Sequence, residues 1–92
     1  MVSITALTET LRHAAAGTSA DGVTVDVARR GDAIVVTLTS DEVYTDWGAA
    51  VRPIYRELDS ELAGWRVADS GPESDDATGR TGEWIEYVQE GA

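Results

Sequence analysis

Lysine is absent from this chain, and so are cysteine and phenylalanine. Charged residues make up 26% of the 92 positions, and an even share among the four charged types would supply about six lysines. Without cysteine there can be no disulfide, iron–sulfur cluster, thiolate zinc site or cysteine nucleophile. Nothing covalent staples the chain, and two cores of roughly half this length would bury too little surface to stand alone. One domain spanning residues 1–92 is therefore expected. Long apolar runs are missing too. No window approaches the roughly 18 consecutive apolar residues of a membrane-spanning helix. The opening Met1-Val2-Ser3-Ile4-Thr5 has neither a basic region nor a sustained apolar one, and Arg29-Arg30 lies too far inside for a twin-arginine signal. The expectation is a cytoplasmic protein.

What is present is acid. Seventeen Asp and Glu against seven arginines leave a formal net charge of -10 and a pI near 4.2. In dilute buffer that charge strains a small fold. At about 1 M salt the Debye length shrinks to roughly 3 Å and the repulsion is screened. Lysine would add a long apolar stem to the surface, whereas Asp, Glu, Thr and Ala keep it small and hydrated. In this the composition resembles that of small haloarchaeal cytosolic proteins. The resemblance covers the whole chain, is compositional, and brings no motif of a family with known activity. Hydrophobic residues at 42% suffice for a globular core.

Ile4, Leu7, Leu11 and Ala14 recur at helical spacing, with Ser3 as N-cap and Gly17 as C-cap. Val23, Val25 and Val27 alternate with Thr24, Asp26 and Ala28, and Ile34, Val36 and Leu38 with Val35, Thr37 and Thr39, which predicts two strands of one hairpin. Its joint, Arg29-Arg30-Gly31-Asp32, supplies residues suited to a tight turn. After Ser40-Asp41, the stripe Val43, Trp47, Ala50, Val51, Ile54, Leu58 and Leu62 predicts one long helix over about 42–63. Pro53 lies inside that stripe and should kink the helix near Ala49. Gly64 ends it. Trp65 to Asp69 reads as a third strand, Ser70 to Gly82 as a loop, and Glu83 to Gln89 as a fourth strand. The order αββαββ predicts an α+β fold: a four-stranded antiparallel sheet with two helices packed on one face. The strand order would be second-first-third-fourth or first-second-fourth-third. Gly31-Asp32-Ala33-Ile34 and Gly82-Glu83-Trp84-Ile85 form a faint echo between the halves.

Catalytic constellations are sparse. His13 is the single histidine; it falls off the apolar stripe, near its helix's C-terminal end, where a solvated side chain is the ordinary arrangement. No G-x-S-x-G elbow is present. Glu73, Asp75 and Asp76 do not match the EF-hand spacing, and acidic clusters are background in so acidic a chain. No metal or cofactor is expected. Gly79-Arg80-Thr81-Gly82 spells the GXXG letters of a KH domain, but it leads into a strand and not between helices. Arg30-Gly31-Asp32 is the cell-adhesion tripeptide by coincidence.

The aromatic residues remain. If Ile85 and Tyr87 face the helices, alternation sends Trp84 and Val88 to the opposite sheet face with Val35, Ala28, Ala33 and Ala68. That patch favours a non-enzymatic module that forms a homodimer or binds a protein partner through the open face, centred on Trp84, Val88 and Val35. A second reading is a nucleic-acid or ribonucleoprotein accessory using Arg29, Arg30 and Arg80, although three arginines among 17 carboxylates make nucleic acid a poor partner. A third is an enzyme or small-ligand binder using His13 or the acidic loop.

The charge composition makes a direct prediction. The melting temperature should climb steeply between about 0.1 M and 1 M KCl as repulsion is screened; thermal scans across that range check it, and a flat profile refutes salt adaptation.

Overall fold

A computed structural model of the chain describes residues 3–18, 20–40, 46–73 and 81–90. Helix α1 spans Ile4–Ala15. Ser3 caps it, its Oγ accepting from the Ala6 amide at 3.3 Å. Leu7, Leu11 and Ala15 are buried one turn apart along a single row. Ala16 is the C-cap, and Gly17 follows it.

Strands β1 (Thr24–Arg30) and β2 (Ala33–Ser40) form the expected hairpin, Arg30 opposite Ala33 and Thr24 opposite Thr39. Gly31 turns it with a φ of 63°, a conformation that costs glycine nothing and a β-carbon a good deal. Val25 and Val27 of β1 face the same side as Ile34, Val36 and Leu38 of β2, and all five are buried. Ser40 ends that row, also buried, its hydroxyl donating to the Gly22 carbonyl at 3.1 Å.

The long helix is where the structure corrects the sequence. Helical turns α2 (Trp47–Ala50) and α3 (Arg52–Glu61) are separate, divided at Val51 with φ -92° and ψ 4°. Pro53 falls in the first turn of α3. There the missing N–H has no helical partner to lose, and the fixed φ suits the helix start. The chain thus stops and restarts two residues before the proline instead of bending through it. Asp46 caps α2, its Oδ1 accepting from the Ala49 amide at 3.1 Å. The stripe itself holds: Ala50, Val51, Ile54, Leu58 and Leu62 are buried. Asp41, Val43, the pair Asp75-Asp76 and Gly79-Arg80 lie outside the described residues.

Strands β3 (Trp65–Pro72) and β4 (Thr81–Gln89) are each longer than the sequence pattern suggested. The element order is α-β-β-α-β-β with its second helix in two pieces, and the four strands form one antiparallel sheet in the order β1-β2-β4-β3. Strand β4 therefore lies between β2 and β3, pairing Ile34 with Tyr87 on one side and Val67 with Tyr87 on the other. A register shift between Val67 and Asp69 leaves Ala68 as a bulge. The echo between the halves is not structural: Gly31 sits in a turn, Gly82 inside a strand. Helix α1 packs on β1 and on α3. The core between helices and sheet joins Leu7, Leu11, Val25, Ile34, Val36, Leu38, Val51, Ile54, Leu58 and Ile85, with Trp47, Tyr55 and Trp65 at its margin.

With Pro53 in a first helical turn, Pro53→Ala should not stabilise the fold. It restores an amide that the helix does not use and frees the unfolded chain, so a loss of about 0.5–1 kcal/mol in denaturant unfolding is expected.

Candidate functional site

Strand β4 sorts the sheet's chemistry between two faces. Ile85 and Tyr87 are buried on the helix side, 5% and 8% exposed. Trp84, Glu86 and Val88 alternate onto the face opposite the described helices, where each is partly buried.

The open face can be read rung by rung. Asp26 pairs with Thr37, Thr37 with Trp84 and Trp84 with Gly71. In the neighbouring rung Ala28, Val35, Glu86 and Asp69 follow one another across the sheet. One step beyond the Ile34–Tyr87 pair lie Ala33 and Val88, flanked by Arg30 on β1 and Arg66 on β3. Trp84 has a fixed seat. A β-carbon at position 71 would come within 2.9–3.0 Å of the indole atoms Nε1, Cε2 and Cζ2, so the ring occupies the space a side chain at Gly71 would need. Val35, Trp84 and Val88 thus share one surface. Ala33 is buried there, whereas Ala28 and Ala68 are exposed, Ala68 as the unpaired residue of the bulge.

Of the three arginines considered for nucleic acid, Arg29 and Arg30 are described and Arg80 lies outside the described residues. Arg29 pairs with Ile34 and Arg30 with Ala33, so successive residues send the two guanidinium groups to opposite faces. His13 is exposed in the last turn of α1 and lines an open hollow with Glu9, Thr10, Ala14 and Glu57. Its imidazole makes no hydrogen bond to a described residue. Among the described residues no three His, Asp or Glu side chains gather as a metal site, and no helix is long and apolar enough to cross a membrane.

On the helix side the structure assembles a second constellation. Glu83 precedes Ile85 and Tyr87 on the inward alternation and reaches up to both pieces of the broken helix. Its Oε1 accepts from the Trp47 indole N–H at 3.0 Å and from the Tyr55 hydroxyl. Beside it runs a groove of about 360 Å³ between α3 and the β3–β4 edge, lined by Tyr55, Asp59, Val67, Ser70, Glu83, Ile85 and Tyr87. Burial, then the negative charges of Asp59 and Glu83, push the Tyr87 phenol up to about 12. Sequence reasoning passed over this cluster because a strand glutamate reads as a solvent-facing residue. The signal was nevertheless present, since the alternation that turns Ile85 and Tyr87 inward turns Glu83 inward as well.

The raised Tyr87 pKa fixes the sign of an alkaline effect. Between the ordinary tyrosine value of about 10 and about 12, the unfolded chain has lost the Tyr87 proton while the folded one keeps it, so stability falls as pH rises. Denaturant midpoints should drop across that window in the wild type and drop less in Tyr87→Phe. Ultraviolet titration should show one tyrosine ionising last in the former and missing in the latter.

Compared with protein-family models, with curated proteins and with solved structures, the chain gives no match.

Proposed function

We propose that this protein is a non-enzymatic, salt-adapted interaction module that pairs with a second copy of itself through the open sheet face. The single observation that carries the reading is the seating of Trp84. Its indole lies in the space left by Gly71, so a large aromatic surface is held in place on the face opposite the described helices. Rigid aromatic anchors of this kind, placed at the centre of a patch, supply much of the binding energy where proteins associate.

Charge favours a second copy over an unrelated partner. One end of the face carries Arg30 and Arg66, on either side of Ala33 and Val88. The next two rungs carry Glu86 with Asp69, and Asp26. Two such faces brought together about a two-fold axis set the arginine end of one against the acidic rungs of the other, with Trp84, Val35 and Val88 between them. Salt adds to this. It screens the repulsion between two chains of net charge -10 while strengthening apolar association.

The test is sedimentation equilibrium in molar KCl. The wild type should be dimeric and Trp84→Glu a folded monomer, because a glutamate on that face is solvated when the partner leaves. A charge reversal, Arg66→Glu, should weaken the dimer without unfolding the protomer. A monomeric wild type overturns the proposal.

A further inference from the structure

The groove beside α3 combines features that the open-face reading does not use. Tyr55 and Asp59 stand one turn apart on α3 and form one wall, Ser70 and Val67 of β3 the other, and Ile85 and Tyr87 the floor. Val67 is 53% exposed, a large apolar side chain left at the mouth. Tyr87 is 8% exposed and lines the groove, yet its hydroxyl makes no hydrogen bond to a described residue. No buried side-chain oxygen among the described residues lacks a partner, so this hydroxyl is reached by solvent and is open to an incoming donor. Glu83, by contrast, is already oriented: Trp47 and Tyr55 both donate to its Oε1, which holds the carboxylate at the groove wall.

The lining selects the sign and type of an occupant. Two carboxylates repel an anion. Two carboxylates without a third ligand make a poor cage for a metal ion, and among the described residues no cluster of three forms. An organic cation fits on every count. Carboxylates pair with its charge, the tyrosine hydroxyl accepts its N–H, tyrosine rings attract its positive face, and Val67 with Ile85 cover an aliphatic stem. The volume of about 360 Å³ lies at the small end of the range for ligand sites. We propose that this groove binds an alkylguanidinium or alkylammonium group, its head among Asp59, Glu83 and the Tyr87 hydroxyl and its stem against Val67 and Ile85. Burial first, and then the charges of Asp59 and Glu83, hold the Tyr87 proton more tightly, in keeping with two carboxylates facing the same space.

Two sources can present such a group: a free amine or guanidine, or an arginine or lysine side chain of another protein. The experiment is a titration with n-butylguanidinium in molar KCl, followed by amide and methyl shifts at Val67, Ser70 and Ile85 and by Trp47 fluorescence. The neutral isostere n-butylurea is the control, and acetyl-Gly-Arg-Gly-amide the peptide arm. Saturable shifts with the guanidinium and none with the urea are expected. Asp59→Asn and Glu83→Gln should each weaken binding about fivefold, as for loss of a partly screened ion pair. Glu83 also ties down the helix; should Glu83→Gln unfold, Asp59→Asn, an exposed position, carries the test alone. Tighter binding of the peptide assigns the site to a protein partner, and tighter binding of the free guanidinium to a small molecule; both support the proposal. Equal binding of the urea, shifts outside the groove, or an affinity unchanged by Asp59→Asn overturns it.

Discussion

The pairing of β4 between β2 and β3 is the constraint on which the rest of the molecule hangs. It is the least local pairing in the sheet, joining residues 34–40 to residues 81–87, and its chain entropy is recovered only when both neighbours are in place. Once β4 is set, alternation along it assigns nearly all of the chemistry described above. Glu83, Ile85 and Tyr87 belong to the helix side, Trp84, Glu86 and Val88 to the bare side. A one-residue slip would exchange them, burying Glu86 under the helices and exposing Ile85. Core formation and the two candidate surfaces thus depend on the same register.

Glu83 links that register to the helix layer. Trp47 belongs to α2 and Tyr55 to α3, and the interruption at Val51 lies between them. Because both donate to one oxygen, a single carboxylate on the sheet bridges the break. Burying a carboxylate is costly unless hydrogen bonds to the charged form compensate, and here the compensation comes from the two halves whose relative placement it fixes. The proline in the first turn of α3 and the glutamate that braces both helical pieces are parts of one solution.

Much of this was legible in the residues. Alternation in the first hairpin, the Gly31 turn and the α-β-β-α-β-β order all follow from local pattern, because each depends on neighbours a few positions away; the inward set of Ile85 and Tyr87 was a condition that the pattern left open, since Trp84 and Val88 alternate on the same strand with comparable apolar bulk. Strand order narrowed to two possibilities, since antiparallel closure admits both and only the packing of the whole decides. The helix break was misread because the apolar stripe continues through Val51 and Ile54 regardless; periodicity reports which face is buried and is blind to a pause in the backbone. The bulge at Ala68 was illegible for a related reason. It reverses the parity of β3, so that Ser70 and not Asp69 shares the helix side with Val67. The open-face residues could be named from the sequence, but the seat that Gly71 makes for Trp84 could not, because a strand glycine does not announce what crosses it.

The bulge has a bearing on how this chain keeps to itself. Strand β3 is an outer strand of the sheet, and outer strands invite edge-to-edge aggregation. Lysine, a common deterrent on such edges, is not in the chain's vocabulary. Repulsion between like charges also fades as salt rises. Strand β3 carries instead an irregular rung at Ala68 and a proline at its end, Pro72. Both spoil the template for an incoming strand by geometry and by a withheld hydrogen-bond donor, and neither is weakened by ionic strength.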